Sequence, residues 1–154
     1  MAYHLYLEII ITMLAGEGFM KWFLIALLAS TVANAYGPYD ALLVRVVDGD
    51  TIEVDAALWP GLTQRVKIRL AGVNTPEKRT RLLCEKTAGI AATEFTQAFV
   101  GKGSITVDGV RNGKFAGRVL GSIFVDGESL SDALLASGHA RVYGGGRRQP
   151  WCDE

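Results

Sequence analysis

The chain is poor in residues that build thiol and soft-metal chemistry. Its 154 residues hold two cysteines, with no Cys-x-x-Cys, no clustered His/Cys set and no His-Glu-x-x-His, so the familiar zinc-site patterns are excluded. Bulk charge is missing too: 16 basic residues balance 16 acidic ones, and overall charge announces no polyanionic partner. There is no internal repeat, and the length allows one domain with a usable core but argues against two. The apolar run from Trp22 to Ala29 is too short to span a bilayer comfortably.

That run fits an export signal instead. Lys21 precedes it, and Ala33-Asn34-Ala35 offers the small residues of a cleavage site before Tyr36. Residues 1–35 therefore read as an N-terminal extension followed by a signal peptide. Met20 is the expected true start, because Glu8 and Glu17 stand where a basic segment belongs, and Gly16-Glu17-Gly18 needs purine-rich codons just upstream of the Met20 codon. An apolar interfacial helix over residues 3–14 competes with the Met20 start, and a retained membrane anchor with a cleaved signal peptide. The expected mature protein, residues 36–154, has a net charge of +1 once Lys21, Glu8 and Glu17 are gone. It would work in the periplasm or the medium as a monomer, without stable membrane association. In an exported chain the even cysteine count invites a disulfide between Cys84 and Cys152.

What the chain does have is short β-rich segments broken by turn residues. "VVDGDTIEV", residues 46–54, places Asp48-Gly49 between β-branched runs, a strong hairpin signal in which Gly49 is expected to supply a positive φ. A turn needs one aspartate, so Asp50 is surplus; it reads either as a solvated turn residue or as a metal ligand. Residues 41–47, 51–57 and 64–70 read as strands, the last with Arg65, Lys67 and Arg69 alternating onto one face. Three cations on one strand face are ordinarily solvated. Asn74-Thr75-Pro76-Glu77 then forces the chain out of the sheet, since Pro76 has no amide hydrogen to give a ladder and restricts Thr75. Residues 85–101 carry Ile90, Ala91, Phe95, Ala98 and Phe99 at helical spacing; residues 104–110 and 117–127 read as strands, and 129–140 as a short helix closed by Gly138. His139 reads as structural. The tail "YGGGRRQPWCDE" has no periodicity and is expected to be irregular. Basic groups fall at Lys78, Arg79, Arg81 and Lys86, and again at Arg111, Lys114 and Arg118. Five strands, with one helix after the third and another after the fifth, fit an α+β protein: a five-stranded OB-fold β-barrel with two or three packed helices.

With "VVDGDTIEV", "IRLAGVNTPE", "CEKTAG", "FAGRVLGSIFVDG" and "LSDALLASGHARV" in this order, residues 42 to about 143 resemble the staphylococcal nuclease (thermonuclease) family. The resemblance implies an OB-fold and a Ca2+-dependent phosphodiesterase acting on DNA and RNA. Matched position by position, it implies that Asp50 is a calcium ligand, that Thr75 offers its carbonyl, and that Asn74 occupies the place of a second ligand. It also implies that Glu77 is the general base or orienter of the attacking water, and that Arg69 and Arg118 grip the scissile phosphate. Those residue types suit the task, since two guanidinium forks neutralise a developing oxyanion, a hard cation on oxygen ligands acidifies water, and a nearby carboxylate takes the proton. Three departures stand out. The family usually has Asp where this chain has Asn74; Ala116 replaces a tyrosine expected before Gly117-Arg118, beside Phe115; and the glycine-rich tail replaces a C-terminal helix, leaving Tyr143 as the remaining candidate for stacking on a base. The alternative function is an OB-fold nucleic-acid-binding module whose catalysis is weakened at Asn74.

Overall fold

The computed structural model describes residues 37–114 and 116–152; the readings of residues 1–35, including the Met20 start and the cleavage point before Tyr36, lie outside the described residues. The elements run β1 (Tyr39–Asp48), β2 (Thr51–Trp59), β3 (Leu62–Leu70), β4 (Val73–Asn74), α1 (Leu83–Val100), β5 (Ile105–Asn112), β6 (Arg118–Val125), β7 (Glu128–Ser129), α2 (Leu130–Ala136) and β8 (Arg141–Val142). β1, β2 and β3 form an antiparallel meander; β5 pairs with β1, and β6 with β5. The sheet closes through a parallel pairing of β3 with β6, from Lys67↔Arg118 to Leu70↔Gly121. The result is a closed, mixed, five-stranded barrel with two helices among the described residues, an α+β OB-fold.

Alternation explains the interior. Ile52, Val54 and Ala56 of β2, Ile68 and Leu70 of β3, Ile105 and Val107 of β5, and Ile123 and Val125 of β6 point inward; Phe99 and Val100 of α1 and Leu130 and Leu134 of α2 complete the core. A fully buried Ile or Leu such as Ile52 or Leu134, both 0% exposed, contributes about 1.5–3 kcal/mol by transfer from water. α2 starts where the Ser129 hydroxyl accepts from the Asp132 amide at 3.2 Å, and Gly138 follows it in the left-handed region at φ 74°. Among the described residues no helix is long and apolar enough to cross a membrane.

Two local expectations are corrected. The buried stripe of α1 is Gly89, Ala92, Thr96, Phe99 and Val100, so the helix is turned relative to the Ile90/Ala91/Phe95 face, and Ile90 is exposed. Gly49 does not have a positive φ. Its glycine is required by close approach: a β-carbon there would lie 2.8 Å from the Ala92 β-carbon and 3.0 Å from Thr75 Oγ1. The tail from Tyr143 to Cys152 has no regular structure, as expected; the short strand β8, Arg141–Val142, precedes it and pairs antiparallel with β4.

Candidate active site

The site is built where three chain reversals meet the start of α1. In the β1–β2 hairpin Asp48 pairs with Thr51, so the two corner residues are Gly49 and Asp50, and Asp50 itself is at the turn. α1 holds this corner from behind, with the buried Thr96 hydroxyl donating to the Gly49 carbonyl at 2.6 Å. Asp50 is 6% exposed. Its Oδ1 accepts from the Thr51 hydroxyl at 2.9 Å, its Oδ2 accepts from the Thr75 amide at 3.1 Å, and the Arg69 guanidinium pairs with it. The β2–β3 register dictates that meeting, because Thr51 faces Arg69 across the ladder. Arg69 also donates to the Asn74 side-chain oxygen at 3.2 Å and to the Val73 carbonyl at 3.3 Å. The row of cations on β3 thus runs from solvent into the protein: the Arg65 side chain is 61% exposed, that of Arg69 8%.

Beyond β4 the chain passes through buried Thr75 and Pro76 to half-exposed Glu77. α1 approaches this loop closely at Gly89, where a β-carbon would lie 2.7 Å from the Glu77 carbonyl carbon. Its first turn accepts the Glu77 amide on Glu85 Oε1 at 3.3 Å. The Glu77 carboxylate is paired with Arg148 of the tail. Burial draws the Arg148 guanidinium pKa down, but the hydrogen bond and charge of Glu77, with the charge of Asp50, prevail and raise it. Asp48 completes the acidic side. Its Oδ1 is buried without a hydrogen-bond partner, with Lys78 Nζ 3.8 Å away as a charge neighbour only. Burial pushes the Asp48 carboxyl up; Lys78 and Arg79 oppose this, and the charges of Glu77 and Asp50 add to it. Asp48, Asp50 and Glu77 therefore share one electrostatic environment.

Asp50, Arg69, Asn74 and Thr75 are thus joined by direct bonds, and Glu77 sits two residues beyond Thr75 on the same loop. Arg118 opens β6 opposite Lys67, and Leu120 opposite Arg69, so Arg118 and Arg69 occupy the same face of the β3–β6 pair, two positions apart. Ala116 is exposed in the turn before it. Cys84, in the first turn of α1, is joined to Cys152 by a disulfide. His139 packs its ring against Phe95, with centroids 5.0 Å apart, a structural contact. The Tyr143 hydroxyl donates to the Gly146 carbonyl at 2.8 Å, inside the tail loop.

Asp48, read in the sequence only as a turn residue, joins the cluster, and Arg148 is a member that reading the sequence missed. Its partner lies 71 residues earlier, and no local pattern encodes such a pair. The available signal was the cysteine pair: a bridge from Cys152 to Cys84, seven residues past Glu77, carries the arginines of the tail towards that carboxylate.

The donor types of the cluster suit a hard cation. Asp50 Oδ1 accepts one described hydrogen bond, the Asn74 amide oxygen shares the Arg69 guanidinium with Asp50, Thr75 is held to Asp50 Oδ2 through its amide, and the nearby Asp48 carboxylate has a buried oxygen without a hydrogen-bond partner. The charge is low for such a site: among the described residues no group of three or more His, Cys, Asp and Glu side chains is arranged to hold a metal.

Comparison with known proteins covers the site from Arg69 onward, while Asp48 and Asp50 precede the family match. The family model for "Staphylococcal nuclease homologue" matches residues 67–151. The SPbeta prophage-derived endonuclease YokF of Bacillus subtilis (strain 168) is 35% identical over 106 residues, 67% of this chain and 34% of that protein. Endonuclease YncB of the same organism is 35% identical over 103 residues, 65% of this chain and 46% of that one. A protein of Escherichia coli described as an uncharacterized endonuclease is 31% identical over 102 residues, covering 66% and 59% respectively. The chain spans about a third to three fifths of the length of these relatives.

Proposed function

The chain belongs to the staphylococcal nuclease family, and from that premise we propose that it is an exported, calcium-dependent nuclease hydrolysing phosphodiester bonds of DNA and/or RNA with low sequence specificity. The observation that carries the reading is the bonded cluster of Asp50, Arg69, Asn74 and Thr75 with Glu77 on the same loop. The curated relatives bear the name endonuclease, which supports the same class of chemistry. The Cys84–Cys152 bridge supports an oxidising compartment outside the cytosol.

The roles follow from chemistry. Arg69 and Arg118, on one face of adjacent strands, grip the non-bridging oxygens of the scissile phosphate and neutralise the charge that grows there as water attacks. Glu77, the half-exposed carboxylate of the loop, orients the attacking water and receives its proton. Arg148 must leave Glu77 for that to happen. Asp50, with the Asn74 amide oxygen and the Thr75 carbonyl, would hold calcium, which when bound neutralises phosphate charge and lowers the pKa of water. The guanidinium grip reads phosphate and ignores the sugar, consistent with action on either nucleic acid.

A second reading is favoured by Asn74, one charge short of an aspartate, and by the pairing of Glu77 with Arg148: a nucleic-acid-binding OB module with weakened catalysis. Incubating the mature protein with single-stranded and duplex DNA and with RNA, in calcium and in chelator, separates the two. Calcium-dependent cleavage is expected; retention of the strands without cleavage in either condition would transfer the assignment to the binding module.

A further inference from the structure

We propose that the tail loop from Arg141 to Trp151 is a second phosphate subsite, which takes a neighbouring phosphodiester of the bound strand, and that Arg148 is its positioning residue; this rests on the nuclease reading above. The loop begins beside the site, because β8 places Arg141 opposite Asn74 on β4, and the Tyr143 amide donates to the Gly72 carbonyl at 2.7 Å. Gly145 and Gly146, at φ 103° and 88°, turn the chain back in a conformation that side-chain-bearing residues rarely adopt. The Arg141 guanidinium lies 4.2 Å from the centroid of the Trp151 ring and donates to the Pro150 carbonyl at 3.0 Å. The next residue, Cys152, is bridged to Cys84 at the start of α1. Both ends of the loop are therefore anchored, and its arginines belong to a built surface.

That surface encloses a pocket of about 230 Å3, whose lining includes Asn74, Arg141, Tyr143, Arg147, Arg148 and Trp151 and contains no Asp or Glu. Three guanidinium groups around a pocket without acidic lining form a site for an anion, and guanidinium forks match phosphate oxygens bidentately. The position of the pocket selects the anion. Asn74 belongs to both this pocket and the Asp50 cluster, so the two anions must lie close together, as successive phosphates of one strand do. Arg148 links the two places: in the free protein it neutralises Glu77, and an arriving phosphate offers it a competing partner. Exchange of Arg148 from carboxylate to phosphate positions the strand and releases Glu77 for water in the same event.

The test measures binding and turnover separately. Anisotropy of a labelled single-stranded oligonucleotide, in chelator and across a range of salt, is compared for wild type, Arg148→Ala and Arg148→Lys, with thermal melting as the folding control. Arg148→Ala should weaken binding roughly tenfold at low salt and flatten the slope of log affinity against log salt by about 0.7, the share of one phosphate contact on a single strand. Arg148→Lys should restore part of both. In cleavage with calcium Arg148→Ala should raise KM without lowering kcat, and the change in KM should vanish on a dinucleoside monophosphate, which has no second phosphodiester. Unchanged affinity and salt slope in folded Arg148→Ala would overturn the subsite. Wild type that cleaves while Arg148→Ala keeps its KM would overturn the subsite alone. Wild type that binds with the expected Arg148 dependence but does not cleave would leave the subsite standing and remove the nuclease reading.

Discussion

The β2–β3 ladder carries two arginine–aspartate pairs, an inner one beside its first rung and an outer one half-way along, and they do different work. In the outer pair Arg65 forks onto Asp55 with two bonds of 2.9 Å, in solvent. At the inner end Arg69 meets Asp50 with both side chains 8% exposed, and the same guanidinium also serves Asn74 and Val73. Both arginines alternate onto one face of β3, but the register differs: Asp55 faces Arg65 directly, whereas Asp50 stands one residue before Thr51, which faces Arg69. Burial separates them. In water the attraction is screened and the ordering of two long side chains offsets most of it. In the interior neither charge can be left alone without a large cost, so the inner pair fixes the geometry of the site while the outer one is nearly dispensable.

Replacing one arginine at a time is the strongest way to break this contrast. Arg69→Ala should cost about 3 kcal/mol of unfolding free energy, because Asp50 would remain buried with only its two hydrogen bonds. It should also abolish most turnover. Arg65→Ala should leave the denaturation midpoint almost unchanged. Equal losses in urea titrations of the two variants would mean that burial is not what distinguishes the pairs.

Next in size are the groups at the inner end that carry chemistry without carrying the fold. Glu77→Gln and Arg118→Ala should each lower turnover by about a hundredfold or more, the scale of losing one transition-state electrostatic group, with Tm and circular dichroism unchanged. A folded variant with wild-type turnover would remove that residue from the mechanism.

The charge count at the inner end gives a smaller effect. An aspartate at position 74 would add the carboxylate that the cluster lacks, and charge count is a main determinant of calcium affinity at oxygen sites. Asn74→Asp should shift the calcium concentration for half-maximal activity down by roughly tenfold from a wild-type requirement in the millimolar range of weak extracellular sites. The calcium-induced rise in Tm should shift in parallel, and Glu77→Gln in the same background should stay inactive. Superimposable calcium curves would take residue 74 away from the metal.

The outer pair supplies the smallest effect. The hydrogen bond from Arg65, helped by its charge, holds the Asp55 carboxyl below the ordinary carboxylate range, against the opposing effect of burial. A depressed carboxyl contributes stability above the pKa of the unfolded chain and loses it as pH falls through the folded value. Asp55→Asn should therefore remove a shallow acid-side slope in stability, seen in denaturation at low salt, and molar salt should do the same to the wild type. A slope that survives in Asp55→Asn would have to come from another carboxyl.

What could be read in advance divides along the same line between local and non-local causes. The strands were legible because β-branched alternation and the Asp-Gly and Pro-Gly corners are local, and the candidate ligands were legible because they sit at those corners. The orientation of α1 was not, since Gly89 and Ala92 face inward for the space they leave to the Glu77 loop and the Asp50 corner rather than for their hydrophobicity. Nor was the burial of Arg69, which the strand face alone would have put in solvent beside Arg65. Gly49 was assigned to the right turn for the wrong reason, because a tight turn and a tight helix contact both ask for glycine.

The outer stretch of β3 has one more role. Only Lys67 to Leu70 of β3 lie against β6, so residues 62–66 have β2 on one side and no described strand on the other. Such an open backbone edge is a template on which a second copy of the chain could add a strand. Here the edge is short, and Gln64 and Arg65 stand on it, with Arg65 held in place by Asp55. Contributing little to stability, the outer pair still keeps a hydrated charge on the strand that borders this edge, beside the exposed Trp59 and Leu62, and charge on an edge strand disfavours pairing with another chain.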